Sequence, residues 1–210
     1  MADSYLQPAT AGQDEFIEKR SRFIGYIFPC QTEAEALENL KMINEKHRDA
    51  THNVYAYIIR ENNIMRYSDN GEPQGTAGMP VLEVLRREGI TNVLCVVTRY
   101  FGGVLLGAGG LVRAYAKGAK IALDASGIEE MRLWSEIKID VPYNLFDRIK
   151  LTCEEKGVII RNLDYGASVN FDTVIRKEDA EEFLAELVEL SAGTVRGEVC
   201  GDVFMGMRIK

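Results

Sequence analysis

The alternation and spacing of apolar residues divide the chain into two series of elements. "FIEKRSRFIGYIFPC" mixes β-branched and aromatic residues with polar ones and predicts strand. "TEAEALENLKMINEKHRD" puts Ala36, Leu37, Leu40, Ile43 and His47 at helical spacing, with His47 on the helix surface. Thr32 is its N-cap, and Glu35, three residues on, completes a capping box. "NVYAYII" and "NIMRYS" flank the turn-like "RENN" and read as a hairpin. "SDNGEPQGTAG" is a loop of turn formers, and "MPVLEVLRREG" a short helix ended by Gly89. "TNVLCVVTRYF" is an almost unbroken apolar run, as in a buried central strand. A glycine-rich loop follows, then a helix from about Leu111 to Ala125.

The pattern changes after "DASGIEEMR", which is polar and turn-forming and reads as a linker. "WSEIKIDVPY" alternates Ile137, Ile139 and Val141 with Lys138 and Asp140, a half-buried strand. "NLFDRIKLTCEEKG" places Leu145, Ile149 and Cys153 on one helical face. "VIIRNLDYGASVNFDTVIR" is two strands around a turn near Asp164 to Gly166. "KEDAEEFLAELVELSAG" is a helix with Ala180, Phe183, Leu184, Leu187 and Val188 inward, and "TVRGEVCGDVF" closes as strand. The order β-α-β-β-α-β is that of the ferredoxin-like split βαβ. The expectation is therefore two domains of mixed α/β (α+β) class, residues 1–130 and 131–210.

Composition narrows the function. Hydrophobic residues make up 46% of the 210, so the chain can bury a core. No apolar run approaches a membrane span, and the polar start "MADSYLQPATAGQDEF" lacks the features of a secretory signal. The expectation is a short polar lead-in and a cytoplasmic protein without membrane partners. Cys30, Cys95, Cys153 and Cys200 are far apart and form no C-x-x-C pair, so neither metal nor disulfide is expected. Three of the four stand in or beside apolar stretches and read as buried thiols. The formal net charge of -7 is shared between the halves and argues against indiscriminate polyanion binding by the whole surface.

A local exception is "RYFGGVLLGAGGLVRAYAKGAK". Strand, glycine turn and helix is a layout that cradles anions, because glycines let backbone amides converge beside the helix N-terminus. The candidate cradle is the amides of Gly102, Gly103, Gly107, Gly109 and Gly110. The named nucleotide motifs are absent: Gly107 is followed by Ala108, and the order is G-G-x-x-x-G-x-G-G. Packing of the helix on the sheet explains the same glycines equally well. Arg113, Lys117 and Lys120, four and three apart, share one helix face, while Leu111, Tyr115, Gly118 and Ala122 form a smaller apolar one. No acidic residue occurs from Gly89 through Leu123. Such a stripe suits a run of phosphates, with Arg99 beside it and Tyr100 and Phe101 placed to stack on bases.

His52, Asn53, Asp69, Glu72 and Thr76 form a second group. A histidine, two carboxylates and a hydroxyl are acid/base chemistry, although no metalloprotease or nucleophile-elbow motif is present. The competing reading makes Asp69 and Asn70 turn residues and Thr76 the cap of the next helix.

"ATHNVYAYII", "SDNGEPQGTAGMPVLEVL" and "VVTRYFGGVLLGAGGLVRAYAKGAKIAL" resemble the signatures of the YigZ/IMPACT family, over roughly Phe16 to Ala125. The remainder resembles the small C-terminal domain of its bacterial members. Asn70 and Val54 depart from the Asp and Cys common at those places, which weakens any role requiring paired acids at 69 and 70 or a thiol at 54. The resemblance implies an N-terminal domain with the fold of a small-subunit ribosomal protein's second domain. It implies a ferredoxin-like C-terminal domain similar to one in elongation factor G. Eukaryotic relatives regulate translation initiation under amino-acid starvation through protein contacts, and some similar sequences carry peptidase labels that no metal ligand supports here. The leading expectation is a translation-related regulatory protein that binds RNA or the ribosome, without a cofactor. Phosphate contacts are expected from Arg99, Arg113, Lys117 and Lys120, with His52 and Asn53 lining the same cleft. Two alternatives stay open. One is an enzyme acting on a small phosphorylated or nucleotide ligand, with His52, Asp69, Glu72 and Thr76 as the chemical set. The other is a module that binds a regulatory protein.

Overall fold

The computed structural model describes residues 4–209. The chain forms two compact units, residues 4–131 with 206–209, and residues 132–205.

In the first unit, β1 (Ser4–Pro8), β2 (Gly12–Glu18) and β3 (Ser21–Pro29) precede α1 (Glu33–Lys46). Then come β4 (His52–Ile59), β5 (Ile64–Ser68), α2 (Gly78–Arg87), β6 (Val93–Tyr100) and α3 (Ala108–Ser126). Five strands make one antiparallel sheet in the order β2-β3-β6-β4-β5. The apolar run of β6 is flanked on both sides, by β3 and β4, and is buried from Val93 to Arg99. Alternate β6 residues serve opposite faces: Val93, Cys95 and Val97 meet α2 and α3, while Leu94 and Val96 join the cluster with α1. The unit is thus a helix–sheet–helix sandwich.

Small residues let α3 approach closely. A Cβ on Gly118 would lie 2.8 Å from a Val97 methyl, and one on Gly25 would lie 2.2 Å from the Gly118 carbonyl oxygen. Thr32 caps α1 as expected, accepting from the Glu35 amide at 3.2 Å, while the Glu35 carboxylate returns to the Gln31 amide at 2.7 Å.

The second unit holds most of β7 (Ile128–Val141), whose first residues belong to the first unit, then α4 (Tyr143–Glu155), β8 (Ile159–Tyr165), β9 (Val169–Arg176), α5 (Ala180–Leu190) and most of β10 (Gly197–Arg208), whose last residues again belong to the first unit. The strand order β10-β7-β9-β8 is ferredoxin-like. Its core joins Ile137, Ile139 and Val141 of β7 to Ile149 and Cys153 of α4 and to Phe183 and Leu187 of α5.

Five local readings change. The stretch containing Phe16 and Phe28 is two strands, turned at Lys19 and Arg20, not one. The lead-in contains β1, which lies along β7, where Gln7 Nε2 donates to Glu129 Oε1 at 2.6 Å. The linker does not exist as such: Gly127, at φ 68°, ends α3 and the chain enters β7 at once. His47 is buried, because the chain end of α1 turns it between Tyr26 and Tyr100. Val188, one residue round α5 from buried Leu187, is exposed. Cys30, Cys95 and Cys153 are buried free thiols and Cys200 is exposed.

Candidate functional site

The loop from Asp69 to Ala77 is organised by one carboxylate. Asp69 Oδ1 accepts from the amides of Ala77 (3.1 Å) and Gly78 (2.8 Å), and its Oδ2 accepts from Gly75 (2.8 Å). Asp69 therefore caps α2, the task assigned above to Thr76, whose hydroxyl donates instead to the Pro73 carbonyl at 2.7 Å. The cap comes from outside the helix because the residue at its N-cap position, Ala77, has no side-chain acceptor.

This folding of the loop carries Glu72 into the interior. Its Oε1 receives Arg99 Nη1 at 2.5 Å and the Tyr115 hydroxyl at 2.8 Å, with His52 Nε2 3.8 Å away. His52 Nδ1 donates to the Asn70 carbonyl at 2.7 Å. Arg99 Nη2 donates to Ser21 Oγ at 3.2 Å, and its guanidinium lies 5.4 Å from the Phe23 ring centre and 5.3 Å from that of Phe101. Arg99 is only 4% exposed, and its Nε finds no partner among the described residues. Burial, and next the Glu72 charge, push the Tyr115 hydroxyl well above the usual phenol range, so it stays a neutral donor. Asn53 is a buried pin: its Oδ1 accepts from Thr98 and its Nδ2 donates to the His47 carbonyl.

The sequence-predicted phosphate contacts thus part company. Arg99 is turned inward onto Glu72. Tyr100 belongs to the opposite, α1 face of the sheet, where its hydroxyl meets His47 Nδ1 at 2.9 Å and Asp49 at 3.2 Å. Lys120 is engaged by Asp124 at 2.7 Å and Glu88 at 3.2 Å. Arg113 and Lys117 are exposed and, among the described residues, form no ion pair. They line a cleft of about 250 Å³ with Phe16, Glu18, Lys19, Leu106, Gly110 and Ala114.

The glycine loop forms one edge of this region. A Cβ on Gly102 would lie 2.0 Å from the Arg20 carbonyl oxygen, so only glycine allows the loop to rest against the β2–β3 turn. Gly107 is the N-cap of α3 and offers no side-chain cap, and Gly109 is exposed beside it, close to Arg113. Gly103 and Gly107 adopt φ of 82° and 73°, and Gly110 packs on Leu106. Leu105, between them, is 81% exposed.

Sequence reasoning missed Phe16 and Lys19, which line this cleft, and Arg20 next to Lys19 in the turn. Their signal was the Lys-Arg pair inside "FIEKRSRF", which carries no Gly, Asn or Asp to mark a turn. Among the described residues no group of three His, Cys, Asp or Glu side chains is placed to hold a metal. Among the described residues no helix is long and apolar enough to cross a membrane.

Comparison with known proteins bears on the two units directly. Residues 19–123 match the family model described as "Impact N-terminal domain". The chain belongs to the IMPACT family. Residues 139–194 match a second model, "Domain of unknown function (DUF1949)". The chain is 38% identical over 194 residues to IMPACT family member YvyE of Bacillus subtilis, covering 92% of this chain and 89% of that one. It is 31% identical over 197 residues to IMPACT family member YigZ of Escherichia coli, covering 92% and 97%. Protein IMPACT of Homo sapiens is 32% identical over 96 residues, 43% of this chain and 29% of that protein. A solved structure described as "Crystal structure of an hypothetical protein" matches with TM-score 0.61 and 30% identity, over 96% of this chain and 99% of that chain. IMPACT family membership supports a regulatory, translation-associated role in general terms.

Proposed function

We propose that this protein is a translation-related regulator that binds RNA or the ribosome, with Arg113 and Lys117 as phosphate contacts beside the glycine loop, whose Gly102 amide is taken by Ser21 Oγ at 3.4 Å. The observation that carries this reading is the cleft at the start of α3, where those two exposed cations stand without carboxylate partners. Phosphates recruit unpaired cations of this kind, and the surrounding stretch 89–123 contains no acidic residue to oppose them. The enzymatic alternative has less support. Asp69 is occupied as a cap, Thr76 in its turn, and Glu72 with Arg99 and Tyr115.

The test is fluorescence anisotropy of labelled RNA titrated with the protein from low to physiological salt, for the native chain and Arg113→Glu/Lys117→Glu. The native protein binds with an affinity that falls as salt rises. The double variant binds more weakly, and the slope of log K against log salt shrinks by about 1.4, two contacts at roughly 0.7 each for a single strand. Unchanged binding at every salt concentration removes the cleft from the account.

A further inference from the structure

The turn between β2 and β3 is unusual in composition. β2 and β3 pair in strict register from Gly12 with Ile27 to Glu18 with Ser21, leaving Lys19 and Arg20 as a two-residue hairpin loop. Both take left-handed backbone, φ 44° and 65°. Such turns are the place for Asn-Gly or Gly-Gly, whose backbones accept positive φ readily. Here two long cationic side chains occupy it, both exposed and, among the described residues, outside any ion pair. The loop is held in place, since the Arg20 backbone rests against Gly102 of the glycine loop. Lys19 reaches the cleft that Arg113 and Lys117 line, where Glu18 is the one acidic residue among the described lining residues.

The floor of that cleft is apolar. Phe16 stacks on Phe23 through one face, rings 5.2 Å apart and nearly parallel. The Lys117 ammonium lies over the Phe16 ring at 4.3 Å. Leu106 and Ala114 complete the floor. Resting on the reading of RNA binding above, we propose that the Lys19–Arg20 hairpin tip and α3 form one groove for single-stranded RNA. Phosphates are held by Lys19, Arg20, Arg113 and Lys117, and an unstacked base lies against Phe16. A base on that ring takes the place of the Lys117 ammonium, which is then released to a phosphate. A duplex has its bases stacked inside and gains nothing from an apolar floor of this size, whereas a single strand offers both base faces and phosphates.

The tip allows a test in which loss of binding cannot be confused with loss of fold. Lys19→Asn/Arg20→Gly installs the residues the turn geometry favours. Its melting temperature should rise by about 4 °C, at roughly 2–4 °C for each kcal/mol relieved in a chain of this size, while its affinity for single-stranded RNA falls. Lys19→Gln/Arg20→Gln keeps the backbone demand and removes the charge, and should lose the same affinity with no gain in melting temperature. In both variants the salt slope should shrink by about 1.4. Single-stranded RNA, the matching duplex and polyglutamate are measured side by side. Weakened single-strand binding in both variants, with duplex and polyglutamate poor ligands of the native protein, supports the groove. Native affinity in both variants overturns the role of the tip and leaves Arg113 and Lys117 standing. Equal binding of the duplex overturns the base-stacking floor, and equal competition by polyglutamate overturns the assignment to nucleic acid. No RNA binding by the native protein at low salt overturns this inference and the proposed function together.

Discussion

Glu72 and Arg99 are a buried ion pair, and each is costly to leave alone. One carboxylate oxygen serves Arg99 and Tyr115 together, in a site almost closed to solvent. Removing the charge from one partner strands the other, a change that costs about 3–5 kcal/mol in comparable sites. Glu72→Gln should therefore lower the unfolding free energy by about 3 kcal/mol in urea titrations, and adding Arg99→Met should recover part of the loss. His47 is the second residue with a clear consequence. Its ring nitrogens face the Tyr26 hydroxyl at 2.7 Å and the Tyr100 hydroxyl at 2.9 Å. Burial chiefly, then Lys46 and more weakly Arg22, hold its pKa below the ordinary 6.5, while Asp49 opposes them. The native state then binds fewer protons than the unfolded chain. Its stabilising contribution is complete above pH 6.5 and is lost as pH falls from there through the lower native value. His47→Gln should flatten the stability profile over that interval when melting is followed across pH.

At the scale of elements, two loops contradict simple propensity and both are explained by what they touch. Asp69 satisfies three amides at the start of α2 and joins a loop to a helix that has no cap of its own. Asp69→Ala should cost about 2 kcal/mol and speed amide hydrogen exchange at Gly75, Ala77 and Gly78. The Lys19–Arg20 turn stores strain of about 1 kcal/mol or more at each residue, relative to the ordinary right-handed backbone. That conformation is maintained by the seven register pairs of β2 with β3 and by the glycine loop packed behind it. Helix α3 shows the opposite economy. Gly118 and Gly25 surrender side chains, and the helix lies close enough on the sheet for Tyr115 to reach Glu72.

For the whole molecule, a net charge of -7 sets limits on any encounter with RNA. Long-range repulsion works against the few cations of one cleft, so binding should be modest and strongly dependent on salt. Much of the architecture was legible in the chain. The β6 run announces a strand covered on both faces, and the alternation at Ile137, Ile139 and Val141 announces one covered on a single face. Among the described residues, apolar spacing located α1, α4 and α5, because burial of one stripe is a local property of sequence, while the Gly89 stop and the glycine loop marked α2 and α3. The quoted motifs were long enough to indicate the family. The candidate site was only partly legible. Arg99, Arg113, Lys117 and Lys120 look equivalent along the chain, yet the first is buried against Glu72, the last is held by Asp124 and Glu88, and only the middle two line the cleft with Phe16 and Lys19. Which cations face solvent depends on partners far along the chain, Glu72 and Ser21 for Arg99 and Glu88 for Lys120, and in one case on Asp124 a single helical turn away, and spacing carries no information about those partners. By itself the sequence determined the helices and most of the strands, since those follow from the period of apolar residues, but not β1, the turn at Lys19 and Arg20 or the direct passage from α3 into β7, which depend on pairing with distant segments. Tertiary structure alone decided which charges were neutralised inside and which remained available at the surface, because that choice is made by distance in space and by the loss of water around each group.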